Sequence, residues 1–86
     1  MNLFTDLSTG ERLRIARTRR GYRANEVADL LGVNVATMSQ FETGKRVPRG
    51  AYMMALARIY DVPVLDLYAP GDAPAALVAM EPDTAA

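Results

Sequence analysis

Eighty-six residues, half of them apolar, fit one small domain with a short tail. Cysteine and histidine are both absent, which removes disulfides, thiolate metal sites and most nucleophilic, zinc and imidazole chemistry in one step. Ten basic and ten acidic residues cancel to zero net charge, but they are segregated. From Arg12 to Arg49 nine cations meet three acids, a local balance of +6, and the rest of the chain carries −6. A basic stretch of this kind either meets an anionic partner or is an ordinary solvated surface, and charge alone leaves both open.

The chain opens with Met1-Asn-Leu-Phe-Thr-Asp6, which has no cationic segment followed by an apolar run and so is not expected to be a signal peptide. No apolar stretch approaches the ~20 residues that span a bilayer. A cytoplasmic location with no membrane partner is the expectation. Ser8-Thr9-Gly10-Glu11 then reads as a capping box, with Ser8 the N-cap and Glu11 reaching back. It predicts a first helix over roughly 9–20, stopped by Gly21, with Leu13, Ala16 and Ile15 on its apolar side. Tyr22 is expected in the core. A second helix over roughly 24–31 carries Val27, Ala28 and Leu31 at helical spacing and ends at Gly32.

Asn34 is a good N-cap for a third helix over roughly 35–43, closed by Gly44. Lys45-Arg46-Val47-Pro48 makes a cationic loop. A fourth helix follows over roughly 49–60, with Met53, Leu56, Ala57 and Tyr60 facing inward and Asp61 as its left-handed end residue. Pro63 is expected to begin a short fifth helix that carries Val64 and Leu67 into the core. From Ala69 the composition turns to Ala, Pro, Gly and Asp, either loosely ordered or with one short element around 76–80. The fold class is therefore all-α, with five short helices. Residues 1–8 form an extension, 9–68 the domain and 69–86 a tail.

Between Ala24 and Phe41 the steric requirements of a helix-turn-helix are met. Ala28 stands where two crossing helices approach, Gly32 lies in the turn, and Val27, Val33, Met38 and Phe41 share the inward face. In addition, Gly10-Glu-Arg-Leu-Arg-Ile-Ala-Arg17, Gly21, Val27-Ala28, Leu31-Gly32-Val33, Thr37-Met38-Ser39 and Phe41-Glu42-Thr43-Gly44-Lys45 occur in one register. With Pro48, Leu56-Ala57 and Leu67 they resemble the phage-repressor/Cro-type helix-turn-helix family over roughly 10–68.

The resemblance implies a repressor-like DNA-binding fold whose third helix is the recognition helix. Val35, Ala36, Thr37 and Gln40 would then face base edges. Gln40 suits adenine N6 and N7, and the methyl-bearing residues suit thymine. The alternative for Val35 and Ala36 is simple filler at an exposed turn. Arg23, Asn34, Thr43, Lys45 and Arg46 would meet sugar–phosphate, which supplies affinity without reading sequence. Arg19 and Arg20 read as a solvated flank of the first helix.

Arg17 and Glu42 stand where the family pairs an arginine of the first helix with a glutamate of the recognition helix. They are assigned to the scaffold and not to DNA. The chain departs from many members at Arg23 and Ala24, where a capping hydroxyl followed by glutamine is common. That departure implies a lost cap and a lost brace for the readout side chains, with more weight on DNA shape.

The function implied is a small sequence-specific transcriptional regulator, without cofactor or metal. It would bind double-stranded DNA as a homodimer on a pseudo-palindrome with half-sites about one turn, ~10–10.5 bp, apart. Tyr68, Leu77, Val78 and Met80 are candidates for the dimer surface or for a mobile tail. Leu3, Phe4 and Leu7 pack over the first helix or extend the dimer contact. The competing expectation is a protein-interaction adaptor on the same fold. RNA is a lesser option, because the chain lacks the surface aromatics that stack unpaired bases.

Overall fold

Ser8 begins the first helix with a complete capping box. Its hydroxyl accepts from the Glu11 N–H at 3.2 Å, and the Glu11 carboxylate accepts from the Ser8 N–H at 2.9 Å. Those two bonds hold the Glu11 carboxyl below its ordinary pKa. The computed structural model describes residues 6–76. In that span the order is α1 (Thr9–Arg19), α2 (Ala24–Leu31), α3 (Val35–Thr43), α4 (Gly50–Tyr60) and a 3-10 turn (Val64–Leu67). No strand occurs among the described residues.

The remaining helix ends also follow from local chemistry. Asn34 caps α3 by accepting from the Thr37 N–H at 2.8 Å. α2 has no side-chain cap at Arg23, but Glu26 reaches back to the Arg23 N–H at 2.7 Å, which is half of a capping box. α3 ends at Gly44 with φ +85°, and α4 ends at Asp61 with φ +55°, both in the left-handed region.

α1 and α2 both pack against α3, and the 3-10 turn closes against α4 and α1. Leu13, Val27, Met38, Met53, Leu56, Tyr60 and Leu67 are all but sealed from solvent at the centre. Ala28, 2% exposed, lets the helices approach closely. Among the described residues no helix is long and apolar enough to cross a membrane.

Three expectations change. The fifth helix is a single 3-10 turn of four residues, entered from extended Pro63 and left at extended Tyr68 with ψ 132°. Pro70 lies two residues beyond; it biases Ala69 against helix and lacks an N–H to donate. Tyr68, expected at an outer surface, is 3% exposed and belongs to the core cluster. Leu7 is half-buried, whereas Leu3, Phe4, Leu77, Val78, Met80 and most of the element around 76–80 lie outside the described residues.

Arg20, read as a solvated flank, instead ties α1 to the end of α4. Its guanidinium donates to the Tyr60 carbonyl at 2.9 Å and to Asp61 at 2.8 Å. Arg12 is likewise structural and only 5% exposed. It donates to the carbonyls of Leu7, Asp66 and Tyr68 at 3.0, 3.1 and 2.9 Å. A guanidinium carries five donors in a fixed fork, so one side chain can serve several carbonyls at once. Thr9 adds a second clasp, accepting from the Ala69 N–H at 2.8 Å and donating to Asp72 at 2.6 Å.

Candidate nucleic-acid interface

α3 is held from the α1 side at two points. Near the start of α1, Gly10 lies against the last turn of α3. A Cβ there would stand 2.8 Å from the Glu42 carbonyl carbon and 2.9 Å from the Phe41 oxygen, so only glycine permits this approach. Further along, Arg17 grips Glu42 with two prongs at 2.6 and 3.0 Å and donates to the Tyr22 carbonyl at 2.9 Å. The carboxylate raises the Arg17 pKa, so this cation stays charged throughout the accessible range. The expected scaffold pair is present. It keeps both residues from serving as free charges.

With that side fixed, α3 presents its other side outward. Val35 is 53% exposed, an unusual choice for a β-branched apolar residue on a helix. Ala36 beside it is exposed, while Thr37 and Gln40 are half-buried. Asn34 is exposed with its side-chain oxygen committed to the cap. Thr43 is exposed and donates weakly, at 3.5 Å, to the Gln40 carbonyl of its own helix.

Arg23, Lys45 and Arg46, the cations expected to meet phosphate, are all exposed. The loop turns back after Gly44, so that the Arg46 N–H donates to the Gln40 carbonyl at 3.2 Å and its guanidinium lies 3.5 Å from the Gln40 side-chain oxygen.

The fold brings two more arginines to the same neighbourhood. Arg14 lines a hollow with Ala24, Val35, Ser39 and Thr43. Arg49 lines another with Phe41, Arg46, Val47 and Tyr52. In the sequence Arg14 is one more cation of the first helix and Arg49 only a helix start; helical register put Arg14 on the flank of α3, but no local signal announced it.

Thus eight of the nine cations between Arg12 and Arg49 divide into two sets. Arg12, Arg17 and Arg20 bond to the protein's own carbonyls and carboxylates. Arg14, Arg23, Lys45, Arg46 and Arg49 surround an outward helix that carries no acid on its outer turns. Such a surface can accept a polyanion whose groove admits a helix.

The helix-turn-helix domain model matches residues 9–68. Solved structures share the fold, among them a repressor and a controller protein. The P22 c2 repressor protein, in complex with a synthetic operator, superposes with a TM-score of 0.67 at 26% identity, over 71% of this chain and 92% of that one. The restriction-modification controller protein C.AhdI from Aeromonas hydrophila gives 0.64 at 28% identity, over 79% of this chain and 100% of that one. No curated protein matches the chain. With its two glycine-closed helices, its seated α3 and a family match that runs from α1 through the 3-10 turn, this chain belongs to the helix-turn-helix domain family.

Proposed function

We propose that the protein is a small DNA-binding transcriptional regulator that lays α3 in the major groove of double-stranded DNA. Val35, Ala36, Thr37 and Gln40 read base edges, and Arg23, Asn34, Thr43, Lys45 and Arg46 take phosphates. The observation that carries this reading is the outward face of α3, with Val35 half-exposed, Arg14 beside it, and Lys45 and Arg46 exposed in the loop that follows the helix. The P22 repressor, whose solved complex contains operator DNA, supports it.

A single domain of this size offers too small an interface for tight specific binding. The regulator therefore acts as a homodimer on a pseudo-palindrome with half-sites about one helical turn, ~10–10.5 bp, apart. Tyr68 is in the core and leaves the dimer surface of this reading; beside the tail positions Leu77, Val78 and Met80, the end of α4 is added to it. There Met54, Ala57, Val62 and Val64 line an apolar hollow with Arg58 and Asp61 beside it. Opposite charges on one patch are self-complementary across a two-fold axis.

The test is selection of bound duplexes from a random double-stranded pool at near-physiological salt. Enrichment of an inverted repeat, lost in Gln40→Ala and Val35→Ser, is expected. The apolar outer turn of α3 favours one second reading, an adaptor that binds protein through Val35 and Ala36. Reversing the loop charge with Lys45→Glu and Arg46→Glu separates the two. Activity in cells that survives this change would support the adaptor and sink the DNA reading.

A further inference from the structure

We infer that Arg46 is a positioning residue for Gln40, fixing its amide so that the recognition helix selects adenine and rejects guanine. The inference rests on the DNA-binding reading above and goes beyond it by assigning a source of base selectivity.

Its starting point is what α3 lacks. Position 24, on the first turn of α2, is alanine, and it shares a hollow with Val35 and Ser39, so that position supplies no polar group to steady a readout side chain. An unbraced glutamine has three rotatable bonds and an amide that presents oxygen or nitrogen to a base edge with equal ease.

The chain provides a brace from the opposite end. Gly44 reverses the backbone, and the Arg46 N–H then bonds the Gln40 carbonyl at 3.2 Å. That bond sets the arginine over the last turn of α3, where its guanidinium meets the Gln40 side-chain oxygen at 3.5 Å. This distance is at the outer limit of a hydrogen bond, which suits a contact that tightens when a base arrives. Among the described residues no carboxylate pairs with Arg46; the ion pairs there use Arg17 and Arg20.

The consequence for a base follows from the donors and acceptors. A cation has no acceptor, so the amide end facing it must be the oxygen. That oxygen keeps a second lone pair for the adenine N6 amino group, and the amide nitrogen remains free to donate to N7. Guanine presents acceptors at both O6 and N7. A glutamine held in this orientation turns its oxygen against O6, and guanine is refused. Arg46 retains further donors for a phosphate, so one side chain couples backbone contact to base choice.

The experiment replaces Arg46 by lysine, which keeps the charge but loses the planar fork. Binding of wild type, Arg46→Lys, Gln40→Ala and the double variant is measured on the selected duplex and on one with guanine in place of the adenine. Wild type should prefer adenine, and Arg46→Lys should lose about tenfold of that preference, within the range of one bidentate contact. It should add nothing in the Gln40→Ala background. An unchanged melting temperature would accompany this, since Arg46 is exposed.

If Arg46→Lys keeps the full preference, or weakens both duplexes equally, the inference is overturned while the DNA-binding reading stands. If Arg46 itself reads guanine, the selected base will be guanine and Gln40→Ala will leave it unchanged, which also overturns it. A wild-type pool with no enriched sequence overturns both.

Discussion

The two sides of α3 are built by different rules. Toward α1 the helix is fixed by a backbone approach that tolerates no Cβ at Gly10, by the two-pronged Arg17–Glu42 pair, and by buried Met38 and Phe41. On the exposed side, the side chains of Val35, Ala36 and Gln40 have one weak partner among the described residues, the Arg46 guanidinium at 3.5 Å. The inner side therefore determines where the helix sits, and the outer side is left free to be completed by a ligand. A scaffold that locks position while sparing the contact side chains gives recognition its geometry without using up its donors.

The comparison is broken most severely from the inside. Glu42→Ala strands Arg17 in a largely shielded site, the two side chains being 14% and 10% exposed, and should cost about 3 kcal/mol. Gly10→Ala forces α1 and α3 apart and should cost about 2 kcal/mol or more. For a domain of this length each kcal/mol lowers Tm by roughly 4–8 °C, readable by circular dichroism. Gly10→Ala sharpens the point further, because it moves α3 without removing any contact. Its loss of DNA affinity at a temperature where the fold persists should exceed that of any outer-face substitution. A variant that melts early yet binds normally would contradict this account.

Arg12→Met comes next. It leaves the carbonyls of Leu7, Asp66 and Tyr68 without their donor, and about 2 kcal/mol of destabilisation is expected. DNA affinity at low temperature should be unchanged, since the carbonyls this clasp serves belong to the segment before α1 and to the 3-10 turn and its exit. That outcome would separate inner cations from outer ones in a direct way.

Tyr60→Phe works in the opposite direction. The Tyr60 hydroxyl is buried without a hydrogen-bond partner among the described residues, as is that of Tyr68. Removing it should be neutral or stabilise by up to about 1 kcal/mol. Burial raises the Tyr60 phenol well above its ordinary pKa, so the folded chain keeps the proton after the unfolded chain has released it. Stability is complete below the unfolded value near pH 10 and declines as the pH rises beyond it. Denaturant melts at neutral pH and above about pH 10 should show the decline in wild type and a smaller one in Tyr60→Phe. Equal declines would place the titrating group elsewhere, with the Tyr68 phenol, also raised by burial, the next to examine.

Much of this was legible because helix ends are local. Ser8 with Glu11, Asn34, Gly32, Gly44 and Asp61 each act within four residues, and they set the bounds of α1 to α4 to within one residue. The Arg17–Glu42 pair was legible only through family resemblance. Arg12 and Arg20 were not legible, because the carbonyls they serve lie as far as 56 and 40 residues along the chain. Tyr68 failed for a related reason: its burial depends on the 3-10 turn folding back onto α1 and α4, which no periodicity encodes. Within the candidate interface, Arg14 and Arg49 escaped notice since cationic residues on a helix flank look alike until the helices cross.

The smallest effect on stability is expected at those last two positions, and it discriminates most finely. Arg14 and Arg49 are exposed, so glutamine in either place should change stability by no more than about 0.5 kcal/mol. Each cation that neutralises a phosphate releases about 0.9 counterion from duplex DNA, and the logarithm of affinity falls with the logarithm of salt accordingly. Arg14→Gln and Arg49→Gln should each flatten that slope by roughly one unit, with the same relative loss on selected and random duplexes. Arg14 tests the α1 flank of α3 and Arg49 the α4 flank, so the pair reports whether DNA spans the whole width between the two hollows. A slope that changes for Arg49→Gln alone would narrow the interface to the loop side. Should neither slope change, the cations around α3 would be a solvated surface, and the outward face would need a partner other than DNA.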